Sequence, residues 1–135
     1  MHEILEKIAL FKDLNKDQIQ RLSMIVKKEV YKKDEKVISS GNHINGIFYV
    51  INGHIIMYSF HKEDNERPIV LSIFNEGDYF GEMALLKSEQ NVFDFIANED
   101  TAVMSISHSD FNYLLKNDHD LNFTIFKTIT QMSEV

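Results

Sequence analysis

Residues 75–97 read NEGDYFGEMALLKSEQNVFDFIA. Gly77 and Gly81 bracket a short aromatic strand, Asp78-Tyr79-Phe80, and the run Glu82 to Leu86 favours a single helical turn. A glycine leading directly into a helix start offers free backbone N–H groups and the positive end of the peptide dipoles, which suits a phosphate or another anion. The same pattern also makes an ordinary turn. By itself it points to an anion cradle without establishing one.

On both sides of this stretch the apolar spacing is two. Candidate strands are Val30-Tyr31, Val37-Ile38, Ile47 to Ile51, His54 to Phe60, Ile69 to Phe74, Phe93 to Ala97 and Ala102 to Ile106, all rich in β-branched and aromatic residues. Asn52-Gly53, between the two longest runs, predicts a hairpin because both residues tolerate positive φ. His61 to Arg67 reads as a polar loop, and Pro68 marks the next strand start. Many short strands at close spacing, with helices only at the ends, predict an antiparallel sandwich or barrel.

The first 28 residues read as helix, with Ile4, Leu5, Ile8 and Ala9 on one face. Asn15 is placed as an N-cap with Gln18 completing a capping box, ahead of a stripe of Ile19, Leu22, Ile25 and Val26. Helix returns after Ser107, carrying Phe111, Leu114 and Leu115. Asp118 is placed as the cap of a last helix, in which Leu121, Ile125, Thr128, Met132 and Val135 recur at spacings of 4, 3, 4 and 3. Phe123, Phe126 and Thr130 form a second stripe beside them. One face can pack within the domain and the other against a partner helix.

Composition narrows the chemistry. The chain has 135 residues, 14 Lys+Arg, 21 Asp+Glu, a net charge of -7 and no cysteine. That length fits one domain. The charge argues against this piece gripping nucleic acid, and the missing thiols exclude disulfides, iron–sulfur clusters and cysteine nucleophiles. No apolar run approaches the roughly 18 residues of a membrane span. Met1 to Leu10 lacks a signal-peptide core, so the expectation is a soluble, cytoplasmic protein without membrane partners.

Taken together, Leu10-Phe11 with Leu14, the stretch Gly41 to Gly53 (GNHINGIFYVING), and above all GDYFGEMALL at 77–86 resemble the effector domain of the CRP/FNR family, a cyclic-nucleotide-binding fold. The resemblance covers nearly the whole chain, and the ten-residue block is similar to the family's phosphate-binding cassette nearly letter for letter. It implies a mainly β domain spanning 1–135: an antiparallel jelly-roll β-roll (double-stranded β-helix) at 29–106, flanked by N-terminal helices at 1–28 and C-terminal helices at 107–135. The last of these would be the start of a dimerisation helix with Leu121, Ile125, Thr128 and Met132 as its seam. The family continues into a DNA-binding domain, absent from this chain, so DNA would be met only through that missing part.

By the same resemblance, Gly81 and Ala84 fall where backbone N–H groups face a cyclic phosphate. Glu82 falls where a carboxylate accepts from the ribose 2′-hydroxyl. Where the family has Arg, Ser or Thr, and Ala, this chain has Asn91, Val92 and Phe93, followed by Asp94. Asn91 brings no charge, Val92 removes a hydroxyl and Phe93 adds a ring. Loss of a buried charge partner costs about 2–5 kcal/mol, roughly 30- to 5,000-fold in affinity. The expectation is therefore a sensing domain that does not bind cAMP or cGMP tightly. Its ligand positions would be Gly81, Glu82, Met83, Ala84, Asn91, Val92 and Phe93. Val92, Phe93, Phe95 and Met83 either line an apolar cavity for a different small effector or fill the pocket with side chain.

Other classes have less support. A genuine cyclic-nucleotide-binding module, or a stand-alone nucleotide-binding domain without a transcriptional role, remains as an alternative. A metal-dependent cupin-like enzyme needs a His-x-His pair, which histidines 2, 43, 54, 61, 108 and 119 do not form. No G-x-S-x-G, Walker loop or H-E-x-x-H is present. No resident cofactor, metal or catalytic residue is expected. Lys27, Lys28, Lys32, Lys33 and Lys36 make the one basic cluster, read as a solvated junction between helix and strand.

Overall fold

The computed structural model describes residues 2–59 and 67–132, so the loop expected at His61 to Arg67 lies, apart from Arg67, outside the described residues. The chain forms two compact units, residues 27–108 and residues 1–26 together with 109–135.

The first unit holds eight strands: β1 (Lys27–Tyr31), β2 (Lys36–Ile38), β3 (Gly46–Asn52), β4 (Ile55–Ser59), β5 (Ile69–Phe74), β6 (Tyr79–Phe80), β7 (Asp94–Ala97) and β8 (Thr101–Ser107). They build two four-stranded antiparallel sheets, ordered β1-β8-β3-β6 and β2-β7-β4-β5. This is the expected jelly-roll. Its core draws on both sheets, with Val50, Phe80 and Val103 from one and Ile38, Ile55 and Phe95 from the other. Alternation along each strand sends these residues to one face.

Two boundaries differ from the sequence reading. Helix does not reach residue 28, because β1 begins at Lys27, where alternation of exposed and half-buried side chains fits an edge strand beside β8. Asn52-Gly53 is not a hairpin: β3 pairs with β6 and β8, whereas β4 pairs with β5 and β7. The turn carries the chain from one sheet to the other. Gly53 is required there, since its φ is +87° and a Cβ would sit 2.4 Å from Thr101 Oγ1.

The second unit is helical: α1 (His2–Glu6), a 3-10 turn at Ala9–Phe11, α2 (Lys16–Ser23), α3 (His108–Asn117, from Ser109 onward) and α4 (His119–Met132). The Asn15–Gln18 capping box forms with both bonds at 2.9 Å. Asp118 caps α4, accepting from the Leu121 N–H at 3.0 Å. Gln18 Nε2 donates to Asp120 Oδ2 and Thr124 Oγ1, and Arg21 pairs with Asp118 and Asp120, tying α2 to the start of α4.

The residues of the expected dimer seam lie as follows. Leu121, Ile125 and Thr128 are almost completely buried, and Thr128 Oγ1 donates to Asp13 Oδ2 at 2.7 Å. Met132, at the helix end, is half-buried. The stripe left outward is the other one, with Phe123 69% and Phe126 67% exposed. Both stripes are apolar at helical spacing, and the inward one carries Thr128, bonded to Asp13.

Candidate functional site

The 77–86 segment builds a turn with little freedom. Asp78 closes it from below, accepting from the Asn75 N–H through Oδ2 at 2.8 Å, while its own carbonyl accepts from the Val50 N–H. Tyr79 and Phe80 pair with Tyr49 and Phe48 of β3. Gly81 then takes φ +84°, and a 3-10 turn, Glu82–Leu85, follows. The Ala84 N–H, one of the two assigned to a phosphate, donates to the Gly81 carbonyl at 2.9 Å. Ala84 and Leu85 are buried, Met83 is 56% exposed, and the Oε1 oxygen of the half-buried Glu82 is buried.

The residues at the family's cation position are organised differently from a ligand arm. Asn91 is buried, and its side-chain amide is committed to the main chain. Nδ2 donates to the Phe93 and Ser39 carbonyls, and Oδ1 accepts from the Phe93 N–H at 3.1 Å. Its own carbonyl accepts from the Gly41 N–H at 2.9 Å. Val92 is 65% exposed. Phe93 is half-buried against the core cluster. Asp94, also buried, accepts from the Ser40 N–H at 2.7 Å, and Lys36 Nζ lies 3.6 Å from the same oxygen. So the segment 91–94 clamps the 39–41 loop.

Beneath the turn the roll is filled with rings. Phe80 stacks on Phe95 at 4.6 Å and on Phe48 at 5.3 Å, and Phe74 leans on Phe80 at 4.8 Å. Of the side chains weighed as a cavity lining, Phe95 belongs to this stack, whereas Met83 and Val92 face outward. Among the described residues, clefts open in the β unit. One of about 300 Å³ includes Ser72, Phe74 and Asp78, and one of about 440 Å³ includes Lys36, His43 and Phe48. Neither of these two is lined by residues 81–84 or 91–93. Sequence reasoning missed the ring stack, whose members come from β3, β5, β6 and β7, and it missed Lys36 as the partner of Asp94.

Among the described residues no group of three or more His, Cys, Asp or Glu side chains is arranged to hold a metal ion. No described helix is long and apolar enough to cross a membrane.

Comparison with known proteins bears on this geometry. A family model described as the cyclic nucleotide-binding domain matches residues 28–118. The cGMP-dependent protein kinase egl-4 of Caenorhabditis elegans is 27% identical over 112 residues, which is 82% of this chain and 14% of the kinase. The chain thus spans about one seventh of that relative's length. Among solved structures, the N-terminal domain of a transcriptional regulator from Streptomyces coelicolor A3(2) superposes with a TM-score of 0.83 at 14% identity, covering 96% of this chain and 91% of that one. The regulatory subunit of a cAMP-independent protein kinase A from Trypanosoma brucei, as a mutant bound to cAMP in its A site, gives 0.70 at 15% identity, covering 98% and 46%.

Proposed function

The chain belongs to the cyclic nucleotide-binding domain family, and on that premise we propose that it is the sensing domain of a CRP/FNR-type transcription regulator whose cassette no longer holds cAMP or cGMP tightly. The observation that carries this reading is the Asn91 amide, buried and bound to the main chain at Ser39 and Phe93. A phosphodiester needs a charged fork at that position, and an amide already spent on backbone supplies neither charge nor free donors. Lys36 Nζ lies 3.6 Å from Asp94 Oδ1. The ring stack of Phe48, Phe74, Phe80 and Phe95 supports the filled-pocket form of the reading.

The domain acts without catalysis and without a resident cofactor. Its partners are a small effector, or a contact at the roll's rim, and a second copy through α4. The exposure of Phe123 and Phe126 supports their stripe as the seam, beside the expected residues Leu121, Ile125, Thr128 and Met132. DNA would be met by another part of a longer regulator in the cytoplasm, and effector occupancy would bias the geometry of the α4 pair.

One observation favours a second reading, a domain that still binds a cyclic nucleotide: a left-handed Gly81 leads directly into the 3-10 turn Glu82–Leu85. Isothermal titration with cAMP and cGMP separates the two. The native chain is expected to bind in the millimolar range or not at all, and an Asn91→Arg/Val92→Ser/Phe93→Ala variant to gain measurable affinity. A cAMP-bound mutant of a cAMP-independent relative in fold makes such a gain reasonable. Micromolar binding by the native chain would overturn the proposal in favour of the second reading.

A further inference from the structure

The loop at 39–45 is held in place by a segment distant in sequence. Asn91 Nδ2 donates to the Ser39 carbonyl, the Asn91 carbonyl accepts from the Gly41 N–H, and Asp94 Oδ1 accepts from the Ser40 N–H. Further along, Ile44 and Glu89 exchange main-chain bonds at 2.8 and 3.0 Å, and Ser88 Oγ lies 3.3 Å from His43 Nδ1. Surface loops are ordinarily among the more mobile parts of a fold. This one is tied at most of its residues by the segment 88–94. The side chains it carries around the cleft of about 440 Å³ are therefore presented on a fixed frame.

That cleft has the size of a small-molecule site, roughly 300–1,000 Å³. Its lining joins a flat apolar surface to a set of donors. Phe48 is half-buried, and its ring is fixed by stacking on Phe80 at 5.3 Å and 15°. Around it stand Asn42, His43 and Asn45, all exposed, and the ammonium of Lys36. Among the described residues no carboxylate lines this cleft, in a chain of net charge -7. The cleft beside Ser72 includes Asp78, and one in the helical unit includes Asp13. Asp94 stands behind Lys36 without consuming it. Its side chain is 7% exposed and already accepts from Ser40, and its 3.6 Å to Nζ exceeds the roughly 2.7–2.9 Å of a direct charge-assisted bond. The ammonium carries three donors and is 53% exposed, so it can take a second carboxylate from the solvent side.

We propose that this cleft, rather than the 81–84 turn, is the effector site, and that its ligand is a small planar carboxylate. The ring lies against Phe48, the charge meets Lys36, and the amides of Asn42 and Asn45 bond the remaining polar edge. This rests on the reading of the chain as a sensing domain with a small effector, and it gives that effector a place and a chemical class. A cation would find no counter-charge in the lining. A purely apolar molecule would strip water from the amides without replacing its bonds. The frame also connects the site to the segment 88–94. A carboxylate on Lys36 competes with Asp94 for the ammonium, and so acts on the residue that holds Ser40. Binding in the cleft thus reaches the 91–94 clamp without entering the ring-filled roll.

Backbone amide resonances of the native chain, titrated with sodium benzoate as the probe, test this. Saturable shifts are expected at residues 36–48, with 81–84 unmoved. Benzamide, which lacks the charge, and acetate, which lacks the ring, should each bind about ten-fold more weakly. Asp94→Asn should tighten benzoate binding, since it removes the carboxylate that shares Lys36. Lys36→Met added to Asp94→Asn leaves no buried carboxylate unpaired, and should weaken binding about ten-fold relative to Asp94→Asn alone. Lys36→Arg keeps the charge and should keep most of the affinity. Circular dichroism confirms that each variant folds. No saturable shift at 36–48, benzamide binding as well as benzoate, or a Lys36→Met/Asp94→Asn variant that binds like Asp94→Asn overturns the proposal. So do shifts centred on 81–84 and 91–93. Titration with cAMP decides the underlying reading separately, because micromolar cAMP binding would overturn that reading whatever benzoate does at the cleft.

Discussion

A Cβ placed on Gly81 would lie 2.2 Å from the carbonyl oxygen of Gly46. The turn that begins the family's cassette is therefore pressed against the start of β3 at a distance only glycine permits. Gly81 also sits at φ +84°, where other residues are strained. Gly81→Ala combines both penalties, so a loss of about 2–4 kcal/mol is expected. Urea unfolding followed by circular dichroism measures it. A loss below about 0.5 kcal/mol would mean that the turn can open away from β3.

Asn91→Ala tests whether that residue is a clamp. It removes two donor bonds and one acceptor bond to buried main chain, so about 1–3 kcal/mol of stability should go. Asn91→Asp keeps the acceptor for the Phe93 N–H but loses both donors and sets a carboxylate against two carbonyls. It should therefore be at least as harmful. If alanine at 91 were neutral while effector response disappeared, the side chain would be a ligand group instead.

The eight strands and the capped helices were legible because each rests on local chemistry. β-branched residues alternate in the strands, and Asn15 with Gln18, and Asp118, stand where helix N-termini need acceptors. What lay beyond reach was pairing over distance. Asn52-Gly53 announces a tight turn, but nothing local says that Ile55 will pair with Phe74 and Ala97 rather than with β3. The two stripes of α4 are both apolar, and the inward one meets partners distant in sequence, such as Asp13, 115 residues before Thr128. At the candidate site, the absence of an arginine was plain from the sequence. That Asn91 had become a bracket for the 39–41 loop was not, because its partners are backbone groups that any sequence has.

Phe80 touches Phe48, Phe74 and Phe95, and is 8% exposed. Phe80→Ala should cost about 3–5 kcal/mol through lost contacts and the void left behind. If the stack is what fills the roll, the same variant in a stabilised background should bind a small apolar probe such as benzene, seen as a rise in melting temperature. Collapse of the stack around the void would appear as a smaller loss and no binding.

Asp118 gives the helical unit a pH signature. Burial works to raise its carboxyl pKa, but the Leu121 N–H and the Arg21 guanidinium outweigh it and hold the group below the usual carboxylate value. A group depressed on folding contributes stability above its unfolded pKa, about 3.9 for aspartate, and loses it as pH falls through the lower folded value. Asp118→Asn removes that dependence and weakens the cap and the pairing with Arg21. At neutral pH the variant should be less stable by about 1 kcal/mol, and the gap to the native chain should close as pH is lowered from about 5 toward 2. Because Arg21 is 38% exposed, salt should remove part of the gap, while the bond to the Leu121 N–H, with Asp118 only 13% exposed, should persist. Urea midpoints of both proteins across that pH range, at low and high salt, provide the measurement. A gap that stays constant or widens in acid would mean that Asp118 gains nothing from its charge, and that the cap is held by geometry alone.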